Sequence, residues 1–332
     1  IYIPRKEGGR GLRQLEAAIK TAIVRLANYC DTSTEGLVNQ ARKWSTIMPK
    51  TKNLFEKTDS IREQWGITSR DPKDVAKEMR RRQIITLREK WENKPMHGQF
   101  PKQLQKSWVN KSATYKWLSR SSLKGETEAT ITAIQDQAIA TRYYKKRILK
   151  ERIDDRCRLC KEFPETIHHI TSGCPVLAKR EYISRHDRIC SRLHFMICNQ
   201  LGIETSKKWY QHQPKEVVNN EDVVILYNAQ IHTDREIKAN KPDIVIKYKN
   251  ASKSTLIEVS VPNDENIAEK QAEKMLKYKD LQIEIERLWK TKVEIIPIIV
   301  GAKGTISKQL PEELRKIPGC DGDKDYLTVC KR

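Results

Sequence analysis

Lys241-Pro242-Asp243-Ile244-Val245-Ile246, followed by Leu256-Ile257-Glu258-Val259-Ser260-Val261-Pro262, is the stretch whose reading decides the fold. Each run is short, apolar and rich in β-branched residues, and the polar segment from Lys249 to Ser254 lies between them. That pattern predicts two strands joined as a hairpin. Each strand carries one carboxylate in an apolar setting, which a plain core avoids and a metal-dependent site needs. If Tyr248 pairs with Thr255, Asp243 stands opposite Ser260 and Glu258 opposite Val245. The two acids then share one face as diagonal neighbours, roughly 7–8 Å apart at the backbone and within reach of one ion. The other face, Ile244, Ile246 and Tyr248 against Ile257, Val259 and Val261, forms an apolar layer; a slip of one residue would separate the acids.

Outward from this hairpin, Pro262-Asn263-Asp264 is a cap signal, and the stretch from Glu265 to Trp289 reads as one long charged helix. Lys270, Lys274 and Lys277 recur at i, i+4, i+7 and form one ridge, with Tyr278 beside its end. Val293 to Val300 is an apolar strand that Gly301 ends. Strand, hairpin, helix and strand make a compact α/β core. Asp234 and Glu221 just upstream are further acids, expected to be surface groups but available as an extra ligand.

Lys-Pro-Asp-Ile-Val-Ile, Ile-Glu-Val-Ser-Val-Pro and Glu-Lys-Met-Leu-Lys-Tyr together resemble the restriction-like endonuclease domain of early-branching non-LTR retrotransposons. The resemblance runs over about a hundred residues. It implies that Asp243 and Glu258 hold catalytic Mg²⁺. In the wider restriction-enzyme superfamily a lysine follows the second acid by one spacer, and here Ser260 stands in that place. The retrotransposon group supplies its lysine from the following helix, which implies Lys274 or Lys277, with Lys270 the weaker choice; Lys270 and Tyr278 are candidates to touch nucleic acid.

The composition points to the same partner class. With 64 Lys and Arg against 43 Asp and Glu in 332 residues, the formal charge is +21. Such a surplus, spread along the chain, predicts a polyanionic partner, most simply nucleic acid. No apolar run approaches the ~20 residues of a membrane span. The chain opens on Ile1 without a secretory signal, and it is expected to be a fragment of a longer polypeptide.

The first 120 residues read as helices with loops between them. Leu15, Ile19, Ile23 and Leu26 mark a first amphipathic helix, Thr32 with Glu35 suggests a capping box, and Asp71-Pro72 is a helix start. Arg80, Arg81 and Arg82, interleaved downstream with Trp91, Trp108, Tyr115 and Trp117, are candidates to contact nucleic acid. The competing reading makes the aromatics core and the charges solvated. Glu126 to Leu149 reads as a further helix with Ile131, Ile134, Ala138, Ile139 and Tyr143 as its buried stripe. The Gly8-Gly9-Arg10-Gly11 turn lacks the Lys-Ser/Thr of a P-loop. The segment Tyr2 to Leu12 resembles the passage from polymerase palm to thumb in the same retrotransposon proteins. No aromatic-x-Asp-Asp box is present, so a complete polymerase site is not expected.

Cys157-x2-Cys160, His168-His169 and Cys174 form the second informative cluster. Two cysteines at this spacing grip one ion from a tight turn, and a His and Cys returning after a short loop close a structural Zn²⁺ site. Either histidine fits the spacing. The resemblance favours His169, giving a zinc knuckle of Cys157, Cys160, His169 and Cys174. Cys190 and Cys198 fall in a helical stretch and read as buried small hydrophobes, with His186 and His194 given no stronger role.

The thumb-like start, the knuckle and the nuclease core occur in the order of the retrotransposon polyproteins. The expected organisation is α+β and multidomain: a thumb- and linker-like helical region over 1–120, a helix plus zinc knuckle over 121–205, and a restriction-like endonuclease over 206–332. The resemblance implies nicking of target DNA to prime reverse transcription. The implied partners are target DNA, the element's RNA and an upstream reverse transcriptase domain, with action in the nucleus. A non-catalytic nucleic-acid-binding fragment and a host junction-resolving nuclease are the competing functions.

Overall fold

The computed structural model describes residues 2–49, 53–69, 71–120 and 123–322. The chain is mixed α/β and divides into two compact units, Ile1–Pro101 and Lys102–Arg332.

The first unit is built from helices α1 (Leu15–Thr32), α2 (Gly36–Ile47), α3 (Leu54–Gln64) and α4 (Pro72–Glu92). Asp71 caps α4 as its sequence signal predicts, accepting from the Lys73 amide at 2.7 Å. A small core joins Val24, Ile61, Ile67, Val75 and Met79. The expected face of α1 is corrected by this core. Of the expected stripe, Ile23 packs against the core but Leu15, Ile19 and Leu26 are exposed, while Val24 and Ala27 are buried. The helix is turned by one residue, roughly 100°, because Lys20 lies over the Trp65 ring and bonds Gln64 on that side. The capping box also fails: Thr32 belongs to α1 and its hydroxyl bonds back to the Asn28 carbonyl.

The second unit is organised by a five-stranded sheet in sequence order: β1 (Val217–Asn219), β2 (Val223–Tyr227), β3 (Ile244–Tyr248), β4 (Lys253–Ser260) and β5 (Lys292–Ile299). The first four are antiparallel and β4 runs parallel to β5. A parallel neighbour requires a crossover, which α8 (Ile267–Lys277) and α9 (Lys279–Trp289) supply. Tyr278, Leu281 and Ile285 of this crossover cover Val245, Leu256 and Val293 on one face. The opposite face, with Ile244, Ile246, Ile257 and Val259, packs on Ile189, Leu193 and Ile197 of α7 (Ile183–Gln200) and on α10 (Leu310–Arg315). The expected apolar layer of the hairpin is therefore the α7 face. No helix among the described residues is long and apolar enough to cross a membrane.

Three local expectations are corrected. The hairpin register pairs Ile246, not Tyr248, with Thr255. The displacement is two residues, so face parity survives, and the register continued by one step sets Asp243 directly across from Glu258 rather than diagonal to it. Second, the helix expected over 265–289 is broken at Tyr278, whose φ and ψ are −100° and 9°. The break lets the Tyr278 ring enter the core, where its hydroxyl bonds the Lys241 carbonyl at 3.1 Å. Asp264, expected to cap that helix, instead turns to the far loop and accepts from the Lys303 and Thr305 amides. Third, the helix expected over Glu126 to Leu149 is two pieces, α5 (Gly125–Gln135) and α6 (Arg142–Arg147). Gln137 takes a positive φ of 53° between them, and the Thr141 hydroxyl caps α6 at the Tyr144 amide. Of the expected stripe, Ala138 is exposed.

Within the second unit, residues 108–110 are tied to the segment after β5, the Asn110 amide donating to the Ile306 carbonyl and the Lys308 amide to the Trp108 carbonyl. Tyr115 is buried there, in keeping with a core role for that aromatic.

Candidate functional site

Two sites lie close together in the second unit, one of cysteines and histidine and one of carboxylates. The first begins with a tight turn. The Cys157 amide donates to the Phe163 carbonyl and Lys161 closes back on the Cys157 carbonyl, with Lys161 in the left-handed region at φ 61°. The turn points both cysteines inward. The segment 169–173 returns His169 and then Cys174, and the ligand atoms of Cys157, Cys160, His169 and Cys174 all fall within 4.8 Å of one another. Cys160 Sγ is 3.3 Å from His169 Nε2. His168, the competing ligand by spacing, is exposed and outside the cluster.

The electrostatics suit a thiolate-binding cation. Burial holds His169 below its usual value, keeping the imidazole neutral. The Phe163 backbone amide, with others in the turn, lowers the Cys160 thiol, while burial raises Cys157. Three thiols and one neutral imidazole in a closed set, buried except for the half-buried Cys160, are the donor chemistry of a structural Zn²⁺ site. The group can hold a metal ion and is compatible with zinc.

Tyr182 fastens this loop to α7. Its hydroxyl lies 2.8 Å from the Ile170 carbonyl and 3.1 Å from both the His169 carbonyl and the Cys174 amide. Arg185, on the next turn, donates to the Thr171 carbonyl at 2.9 Å and to the Val261 carbonyl at 3.4 Å. The Cys/His loop, the start of α7 and the end of β4 are thus tied by side-chain bonds.

The acidic site is at the other end of those ties. Asp243 precedes β3, and its carboxylate accepts from the Val259 amide at 2.7 Å. Glu258 lies on β4 at 3 % exposure. Its Oε1 is 2.6 Å from Lys274 Nζ and 3.4 Å from Lys277 Nζ, and its Oε2 is buried without a protein partner. Of the lysine ridge, therefore, Lys274 and Lys277 turn to Glu258. Lys270 pairs with Glu273 instead. The Tyr278 phenol lies between Lys277 and the Lys241 carbonyl. Burial, with the Glu258 and Asp243 charges added, pushes its pKa well up, so it stays protonated. Tyr278 was expected to meet nucleic acid; at 1 % exposure it is a core residue that supports the site from beneath.

His186 of α7 is the residue that sequence reasoning missed. Its Nε2 is 3.2 Å from Asp243 Oδ2, and Cys190 Sγ lies 3.7 Å from the same nitrogen. Burial favours the neutral ring, but the Asp243 hydrogen bond and the Cys190 neighbour outweigh it and push His186 up to about 11. Cys190 is buried, as expected, and burial raises it to about 11. The signal that was available is the i, i+4 spacing of His186 and Cys190, which puts them on one helix face.

The remaining candidates lie elsewhere. Asp234 is exposed and paired with Arg287, and Glu221 is exposed. In the first unit, Arg81 and Arg82 both bond Glu78, and Arg82 also meets the Trp65 carbonyl; Arg80 is exposed. No protein-family model matches the chain, and no curated protein sequence matches it.

Proposed function

We propose that the chain is the C-terminal part of a non-LTR retrotransposon protein, and that its second unit is a Mg²⁺-dependent, restriction-like endonuclease that nicks DNA to prime reverse transcription. The observation that carries this reading is the lysine of α8 seated on the buried Glu258, across the hairpin from Asp243. A carboxylate pair on adjacent strands with a helix lysine is the residue set that the sequence resemblance implies.

The donor set fits a hard divalent cation. Glu258 Oε2 is a buried carboxylate oxygen with no protein partner, and Asp243 is held in place by the Val259 amide. Oxygen donors of this kind suit Mg²⁺. When bound, Mg²⁺ would supply a polarised water and charge neutralisation at the scissile phosphate. The chain's own residues do the rest. Asp243 and Glu258 would hold the ion, Lys274 balances the buried charge of Glu258 and would donate to the phosphate oxygens, and Lys277 adds positive potential beside it. Tyr278, uncharged and buried, props the Lys241 carbonyl and keeps the strand entering Asp243 in place.

The Cys/His loop serves as a zinc knuckle, and with the basic helices of the first unit it binds and orients nucleic acid. The formal charge of +21 supports a polyanionic partner. Target DNA, the element's RNA and an upstream reverse transcriptase domain are the proposed partners, and the nucleus the proposed place of action. Cleavage of end-labelled linear duplex and of a four-way junction in Mg²⁺ tests the reading. Nicking of the linear duplex is expected; cleavage confined to the junction would instead mark a junction-resolving nuclease, and binding without cleavage a non-catalytic module.

A further inference from the structure

We propose that His186, Cys190 and Asp243 form a second metal site, for a thiophilic divalent cation of the zinc class. The three ligand atoms lie within 4.8 Å of one another. His186 Nε2 is 3.2 Å from Asp243 Oδ2 and 3.7 Å from Cys190 Sγ. Zinc bonds to N, O and S donors imply ligand-to-ligand separations of roughly 3.3–3.8 Å in a tetrahedron; the 3.7 Å edge falls within that range and the 3.2 Å edge just below it. The third edge, Cys190 to Asp243, is within 4.8 Å.

The fold holds each ligand in place. His186 and Cys190 stand one turn apart on α7, whose start is pinned to the Cys/His loop by Tyr182 and to the end of β4 by Arg185. Asp243 is fixed by the Val259 amide. Cys190 is 2 % exposed, and His186 is half-buried and turned toward the carboxylate. A buried thiol beside an imidazole and a carboxylate selects Zn²⁺ or Co²⁺ over Mg²⁺, because thiolate is a soft ligand, and the incoming ion releases the His186 Nε2 proton and the Cys190 thiol proton to solvent. Three protein ligands leave one tetrahedral position open, the arrangement of a reactive or exchangeable zinc rather than a closed structural one. The site shares Asp243 with the acidic centre but does not depend on the nuclease reading, since metal binding is counted without any cleavage.

Cobalt(II) titration of the full metal-free chain under reducing conditions tests the proposal, followed by thiolate-to-cobalt charge-transfer absorbance. Two tight equivalents are expected in the wild type. Cys190→Ser and His186→Gln should each bind one, with the intense spectrum of the three-thiolate site unchanged. A single equivalent in the wild type, or a second equivalent that persists in both variants, would overturn it. His186 is half-buried, so His186→Gln carries the test by itself if Cys190→Ser does not fold by circular dichroism.

Discussion

Lys274 sets its ammonium 2.6 Å from Glu258 Oε1, sixteen residues earlier in the chain and on a different element. Ser260 stands two residues after Glu258, so the cation arrives from the crossover helix instead of from the strand itself. The pair is largely buried, with the two side chains 17 % and 4 % exposed. Removing one partner of such a pair strands the other charge, at a cost of about 3 kcal/mol. Lys274→Ala is therefore predicted to lower stability by about that amount in urea denaturation. Lys277 is 41 % exposed and stands farther off at 3.4 Å. Lys277→Ala should cost less than about 1 kcal/mol, and equal losses from the two variants would contradict this ranking.

The Cys/His loop should depend on its ion. Cys174 is fully buried and the loop's carbonyls are gathered around Tyr182 rather than an apolar core. Chelation is predicted to unfold the loop and expose its thiols to a chromogenic disulfide reagent, as metal binding free energy is folding free energy in such segments. His169→Ala should lose the zinc measured by atomic absorption, whereas His168→Ala should retain it.

Arginines of one run are predicted to behave differently. Arg82 bonds Glu78 and the Trp65 carbonyl, while its neighbour Arg80 is exposed. Arg80→Ala should weaken DNA binding and reduce the salt slope by about one charge. Arg82→Ala should lower the melting temperature of the first unit with little change in that slope. Fluorescence anisotropy across a salt series, with thermal melts alongside, checks both outcomes.

Much of the second unit was legible because strand alternation and turn chemistry are local. The hairpin at Asp243 and Glu258, the return strand at Val293 and the Cys157–Cys174 spacing are all written in short segments. The exact register was not, since Tyr248–Thr255 and Ile246–Thr255 pairings give the same faces and only the turn decides between them. The break at Tyr278 was invisible because neither Pro nor Gly marks it; the ring's burial against Lys241 does. His186 was missed for a like reason, as its partner Asp243 is fifty-seven residues away and meets it only through packing of α7 on the sheet. In the first unit, Lys20 occupying the inward side of α1 is a tertiary effect that apolar periodicity does not report.

Acid should destabilise the second unit before most carboxylates titrate. His194 is buried against His212 at 2.8 Å, and burial, with the His212 charge added, lowers it to about 4. The unfolded chain binds this proton near pH 6.5. Between the two values the unfolded state holds more protons, so stability falls as pH drops from about 6.5 toward 4, by up to about 3 kcal/mol from this group. Urea midpoints measured across that window should decline in the wild type and flatten in His194→Gln.

Nicking of supercoiled plasmid by the whole chain, in Mg²⁺ or in EDTA, tests the central claim most directly when wild type is run beside Asp243→Asn and Glu258→Gln. Open circles are predicted for the wild type in Mg²⁺ alone, with both variants folded, able to bind DNA and at least a hundredfold slower. Open circles formed equally in EDTA, or by either variant at the wild-type rate, would contradict the assignment of Asp243 and Glu258 as the nuclease centre.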